Sequence, residues 1–153
     1  MYKIVEIEGP VHEEELVARV RDLWGKERAG PQIQDAVARA TRSLLIGKRC
    51  IREDSCLRLP RAVVPIRDRG AAASTELRTP RLLPSVELRA AIVALVRQHH
   101  GAAPGEIPAA TARLLGFKTT GAALRSVIDA QIAHLLESGV LIESDGMLRV
   151  ANN

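Results

Sequence analysis

Nine basic residues fall at two comparable places in this 153-residue chain. Lys26 and Arg28 sit in a turn bounded by Gly25 and Gly30, Arg39 and Arg42 lie three apart in the helical pattern that follows, and Lys48, Arg49 and Arg52 come just after it. Lys118 and Arg125 occupy a similar turn and helix start further along. Guanidinium and ammonium groups gathered on one helix and its flanks suit phosphate oxygens, so these nine are the candidate nucleic-acid contacts. Catalytic chemistry has no comparable support. Gly25-Lys26 is followed by Glu27 and Gly47-Lys48 by Arg49, so neither completes a phosphate-binding GxxxxGK[ST] loop, and GxSxG, HExxH and CxxC are absent. Cys50 and Cys56 have no further ligands at metal spacing, and His12, His99, His100 and His134 show none either. The expectation is a protein that is not an enzyme, with no metal and no cofactor.

The elements that must carry these residues follow from periodicity. Leu16, Val17, Val20, Leu23 and Trp24 recur at helical spacing, and Gly25 stops that helix. Ile33, Val37, Ala40, Leu44 and Leu45 give a second helix ending near Gly47. Arg49–Glu53 and Cys56–Leu59 then flank Asp54-Ser55 as a hairpin. A two-residue loop there pairs 53 with 56, 52 with 57, 51 with 58 and 50 with 59. Cys50 then shares a face with Leu57 and Leu59, and Cys56 lies on the other, which disfavours a disulfide and makes Cys50 a small core residue. His12, before Glu13-Glu14-Glu15, reads as the residue leading into the first helix. Trp24 reads as core.

A shift of 91 residues lays His12–Leu59 on Ala103–Val150 without a gap, with 11 of 48 positions identical. Gly25 meets Gly116, Gly30 meets Gly121, and Asp54 meets Asp145, which with Gly146 forms a strong hairpin signal. The second copy has an additional amphipathic helix before it, Ser85–His100. The first has instead an apparent alternating strand, Lys3–Ile7, closed by Gly9-Pro10. Helix, tight turn, helix and hairpin is the winged helix-turn-helix order. The expected fold is mainly α with small β-wings: two winged helix-turn-helix units related by an internal repeat. Residues 1–67 form the first, 68–84 a linker and 85–153 the second. The linker composition rests on four prolines within 60–84 and the run Gly70–Ser74. Its mobile part is expected at Asp68–Thr79, with Ala62–Arg67 available to pair as an edge strand against Lys3–Ile7.

The second helices of the two copies present different outer faces. The first offers Asp35, Ala38, Arg39, Arg42 and Ile46, opposite the apolar Ile33, Val37 and Leu44. The second offers Ser126, Asp129, Ala130 and Ala133, with Glu137 beyond, a face without a base that would repel phosphate. Its small side chains suit close approach of another helix. Ser126, Asp129, Ala130 and Ala133 are therefore candidate protein contacts, with the linker's Val63, Val64, Leu82 and Leu83 the nearest cover within the chain. Residues 60–84 carry five arginines against two acids, residues 12–59 ten bases against eight acids, and residues 85–153 six of each. Any interaction with DNA is thus expected mainly through the first half. The longest apolar run, Ala90–Val96, is far short of the ~20 residues of a membrane span. With no signal-peptide pattern and two cysteines, a cytoplasmic protein with no membrane partner is expected.

Two stretches, EIEGPVHEEELVARVRDLWGKERAGPQI (6–33) and LLGFKTTGAALRSVIDAQIAHLLESGVL (114–141), resemble a domain family of unknown function. That family sits at the C-terminal end of very large bacterial proteins bearing a superfamily-1-type helicase motor and a nuclease-like domain related to very-short-patch repair endonucleases. The resemblance spans roughly Ile4–Val150. It implies a DNA-processing setting, with the helicase and nuclease portion of a larger protein as partner. It carries over no catalytic or binding residue. The function implied is a non-catalytic DNA-binding accessory module. A protein-interaction module docking through the second unit's small-residue face is the alternative.

Overall fold

A computed structural model describes residues 1–70 and 76–151. The chain is mainly helical with small antiparallel sheets, and it divides into two compact units, Met1–Val64 and Pro65–Asn153.

The first unit opens with helix α1 (Tyr2–Glu8), where the alternating pattern suggested a strand. Met1, Ile4 and Val5 fall on one helical face and pack into the core, while Ile7 stays 75% exposed. Burial of that face overrides the strand preference of the β-branched residues. The first unit therefore does have a helix upstream of its other two. Strand β1 (Val11–His12) follows, then α2 (Glu13–Leu23), whose first turn holds three glutamates against the positive helix end. His12 caps α2, its Nδ1 accepting from the Glu14 backbone N–H at 3.2 Å. Helix α3 (Pro31–Ile46) starts with Pro31 in its first turn and buries Ile33, Val37, Thr41 and Leu44. Strands β2 (Ile51–Glu53) and β3 (Cys56–Arg58) complete a sheet of order β1-β3-β2, with Glu53, Arg52 and Ile51 opposite Cys56, Leu57 and Arg58. Both cysteines are buried and free, and burial pushes the Cys50 thiol up. Residues 62–67 form no strand. The partner expected for them is helical, and β1 occupies that edge of β3. Trp24, expected in the core, is 52% exposed.

The second unit is built on α4 (Ser85–Gln98), α5 (Ile107–Leu114) and α6 (Ala122–Glu137). The core joins Leu88, Ile92 and Val96 of α4 to Ile107 and Ala112 of α5 and Leu124, Ile128 and Leu135 of α6. Strands β4 (Leu141–Ser144) and β5 (Met147–Val150) make a hairpin turning at Asp145 and Gly146, both at positive φ as a two-residue turn of this hand requires. Leu141 and Leu148 point into the same core. Part of the segment expected as a linker is integral to this unit. Leu82 and Leu83 are buried beside α6, and Arg69 is buried too. The expected mobile stretch Asp68–Thr79 is described at 68–70 and at 76–79, which includes the 3-10 turn Glu76–Arg78. Residues 71–75 lie outside the described residues.

Candidate nucleic-acid interface and the buried arginine clasp

Helix α3 carries the first unit's candidate surface. Its apolar stripe faces the core, so Arg39 and Arg42 point outward and are exposed. Lys26 and Arg28 are exposed in the preceding turn, and Lys48 and Arg49 just beyond the other end. A sixteen-residue helix spans about 24 Å at 1.5 Å per residue, so these groups are spread along a rod rather than converged on a point. Among the described residues, Lys26, Arg28, Arg39, Arg42 and Lys48 make no ion pair. Arg49 and Arg52 are engaged. The Arg49 guanidinium lies 4.2 Å from the centre of the Tyr2 ring, a cation–π contact. Arg52 Nη2 is 2.5 Å from Glu13 Oε1, close in distance without the alignment of a hydrogen bond. Arg42 and Arg52 share a groove of about 440 Å³ between α2 and α3 with Glu13 and Glu14, so its charge is mixed.

On α6 the arrangement differs. Arg125 Nε lies 3.5 Å from Asp129 Oδ2 one turn on, joining a candidate nucleic-acid residue to a candidate protein-contact residue. Ser126, Asp129, Ala130 and Ala133 are all exposed. The cover expected from within the chain does not form. Leu82 and Leu83 go into the core, Val63 is exposed, and Arg89 Nη1 of α4 donates to Gln131 Oε1 of α6 at 2.9 Å. Lys118 is exposed in the turn before α6.

The strongest electrostatic feature was not read from the sequence. Glu87, 1% exposed in the first turn of α4, receives two arginines. Arg69 donates from Nη1 to Oε1 at 2.8 Å and from Nη2 to Oε2 at 2.7 Å, a bidentate fork. Arg67 donates its backbone N–H to Oε1 at 2.8 Å and its guanidinium to Oε2. Burial alone would push the Glu87 carboxyl up, but hydrogen bonds and charge from Arg69 and Arg67 outweigh it and hold the group below its ordinary value. The clasp seats residues 67–70 over the turn after α5. The Arg69 backbone N–H donates to the Leu115 carbonyl at 2.9 Å, and the Asp68 side chain and Gly70 nitrogen crowd Gly116. A lone acid beside Leu88 in an otherwise apolar helix pattern was the available signal. Its partners, about twenty residues upstream in a proline-rich stretch, gave none.

Among the described residues, no group of three His, Cys, Asp or Glu is placed to hold a metal ion. No helix is long and apolar enough to cross a membrane. Residues 1–35 match the profile of a family described as Protein of unknown function (DUF3320). No curated protein and no solved structure matches the chain.

Proposed function

We propose that the chain is a tandem of two winged helix-turn-helix units related by an internal repeat. In this reading it serves as a non-catalytic DNA-binding module, acting mainly through the first unit. The repeat is supported by backbone detail at a spacing of 91 residues. Helices α3 and α6 each run for sixteen residues in that register. Val11 pairs with Leu57 as Ala102 does with Leu148. Gly25 and Gly116 both have positive φ, as do Lys48 and Gly139, and Asp54 and Asp145. In the same register α1 falls on the last two turns of α4.

One observation carries the DNA reading: Arg39 and Arg42 stand exposed on the outer face of α3, with no ion pair among the described residues, flanked by Lys26, Arg28 and Lys48. In a winged helix this second helix is the one placed to meet a groove. A setting within a larger helicase and nuclease protein belongs to the same reading and rests on the resemblance of residues 6–33 and 114–141. On α6 the second unit has one arginine and no lysine, and that Arg125 is paired to Asp129. That favours protein docking over phosphate for the Ser126, Asp129, Ala130 and Ala133 face.

The test is a salt titration of binding to duplex and single-stranded DNA with the full chain and its R39A/R42A variant. The variant is expected to keep its stability within about 0.5 kcal/mol per site. It should also lose about 0.9 from the logarithmic salt slope on duplex for each phosphate contact removed. Unchanged affinity and slope would overturn the assignment to α3. Absence of binding at low salt would leave the docking reading, for which A130R should disrupt association with a partner.

A further inference from the structure

The C-terminal end of α4, the turn after α6 and strand β5 enclose an open cleft of about 840 Å³ in the second unit. Among the described residues its lining includes Arg97, His100 and Arg149 but no acidic residue. Among the described residues, none of the three side chains has an ion-pair or hydrogen-bond partner. Two of them have an ordinary explanation. Arg97 and His100 stand at the end of α4, where the helix carbonyls favour positive charge. Arg149 has no such explanation, because it lies on a strand opposite Ile142.

The first unit shows what this position looks like when its charge is neutralised, a comparison that rests on the proposed repeat. Arg58 is the counterpart of Arg149, and its Nη2 lies 3.3 Å from Glu53 Oε2. The second unit has Ser144 where the first has Glu53. Glu6 stands where the second unit has Arg97, and Gly9 where it has His100. Tyr2 closes over Arg49, where the second unit has Val93 and Val140. At the same place in the fold the second unit lacks the acids Glu6 and Glu53 and also the bases Lys48 and Arg49, and it has Arg97 and His100 beside Arg149 with no acid on the lining among the described residues.

We propose that this cleft, walled by Arg97, His100 and Arg149, is a phosphate-binding site. Two guanidinium forks can each take two oxygens of one tetrahedral group, and a phosphate matches several cationic donors better than a single carboxylate does. The phosphate comes either from a nucleic-acid backbone or from a free phosphorylated ligand.

Inorganic pyrophosphate titrated into the isotope-labelled full chain, followed by amide NMR, tests the site directly. DNA binding by anisotropy identifies the source. Pyrophosphate is expected to shift the amide signals of Ser138–Val140 and Arg149. R97A/R149A should weaken it at least ~10-fold, R97K/R149K should restore only part of it because an ammonium lacks the two-pronged fork, and R39A/R42A should leave it unaltered. If the backbone is the source, R97A/R149A also lowers the DNA salt slope by about 0.9 per lost contact. Shifts with pyrophosphate but unaltered DNA binding assign the site to a free ligand. The site stands and the α3 reading fails if R97A/R149A weakens DNA while R39A/R42A does not. The proposal is overturned if pyrophosphate gives no localised shifts, or if R97A/R149A binds pyrophosphate as the unaltered chain does.

Discussion

Gly25 follows α2 at φ 62° and Gly116 follows α5 at φ 82°, and each ends its helix in the left-handed region. Beyond that shared device the two turns diverge. A side chain at Gly25 would meet nothing within 4 Å, whereas one at Gly116 would run into Asp68, Arg69 and Gly70. Trp24 is half exposed where Leu115 is fully buried in the core of α4, α5 and α6, while Leu23 and its counterpart Leu114 are both exposed. The crowding at Gly116 comes from residues 67–70, which Glu87 holds over the second turn. Equal sequence pattern thus does not fix equal surroundings, because the space beside this turn is filled by a segment outside the pattern. The glycine that stops a helix in one unit also admits a covering strand of chain in the other.

Breaking the clasp should have the largest effect on this contrast. Glu87→Ala leaves Arg69 buried without its counter-charge, and removing one partner of a buried pair costs about 3–5 kcal/mol. Thermal unfolding should show the loss, and residues 67–70 should lose hydrogen-exchange protection, the Arg69 amide bonded to the Leu115 carbonyl among them. The same pair sets an acid limit. The Glu87 carboxyl is held below its ordinary value of 4.5, so its contribution is complete above that value. It fades as pH falls through the lower folded value. The melting temperature of the second unit is expected to drop below about pH 4.5 in the parent. This acid-dependent part of the drop should be missing in E87A. An acid response identical in the two would mean that Glu87 is not the titrating group.

The glycines themselves give the next largest separation. Alanine in the left-handed region costs about 1–2 kcal/mol from backbone sterics alone. G25A should cost no more than that. G116A adds overlap with backbone and should cost about 2–4 kcal/mol while releasing residues 68–70. Equal losses in denaturant melts would mean that the covering segment yields freely, and the contrast between the turns would be broken.

What was legible in the sequence divides along the same line. Helices α2, α3, α4 and α6, both hairpins and the residue pairing across β2 and β3 follow from local period and turn chemistry, and they stand in the structure as read. Lys3–Ile7 was misread because five residues hold too few periods to separate a strand from two helical turns, and packing of Met1, Ile4 and Val5 decided it. Trp24 reads as core through its alignment with Leu115, but Leu115 packs in the core formed with α4 and α6 while Trp24 is half exposed. The exposure of Arg39 and Arg42 was legible, because an apolar stripe fixes what lies opposite it. The clasp and the basic cleft were not, since each joins residues from separate elements that share no spacing.

The smallest effect sharpens the comparison inside the cores. Val20 of α2 and Thr111 of α5 occupy the same place in the 91-residue register, and both are buried. Thr111 is fully buried, and its Oγ1 has no hydrogen-bond partner among the described residues. A buried hydroxyl without a partner costs about 1–3 kcal/mol, and valine is nearly isosteric with threonine while lacking that group. Thr111→Val gives the second unit the side chain that the first already uses. It should raise stability by about 1 kcal/mol, read as a higher denaturant midpoint at unchanged slope. The reverse change, Val20→Thr, should lower the first unit's stability by a similar amount. If T111V is neutral or destabilising, the hydroxyl has a partner in solution, such as the carbonyl one turn back in α5. The two cores would then differ in polarity as well as in what covers them.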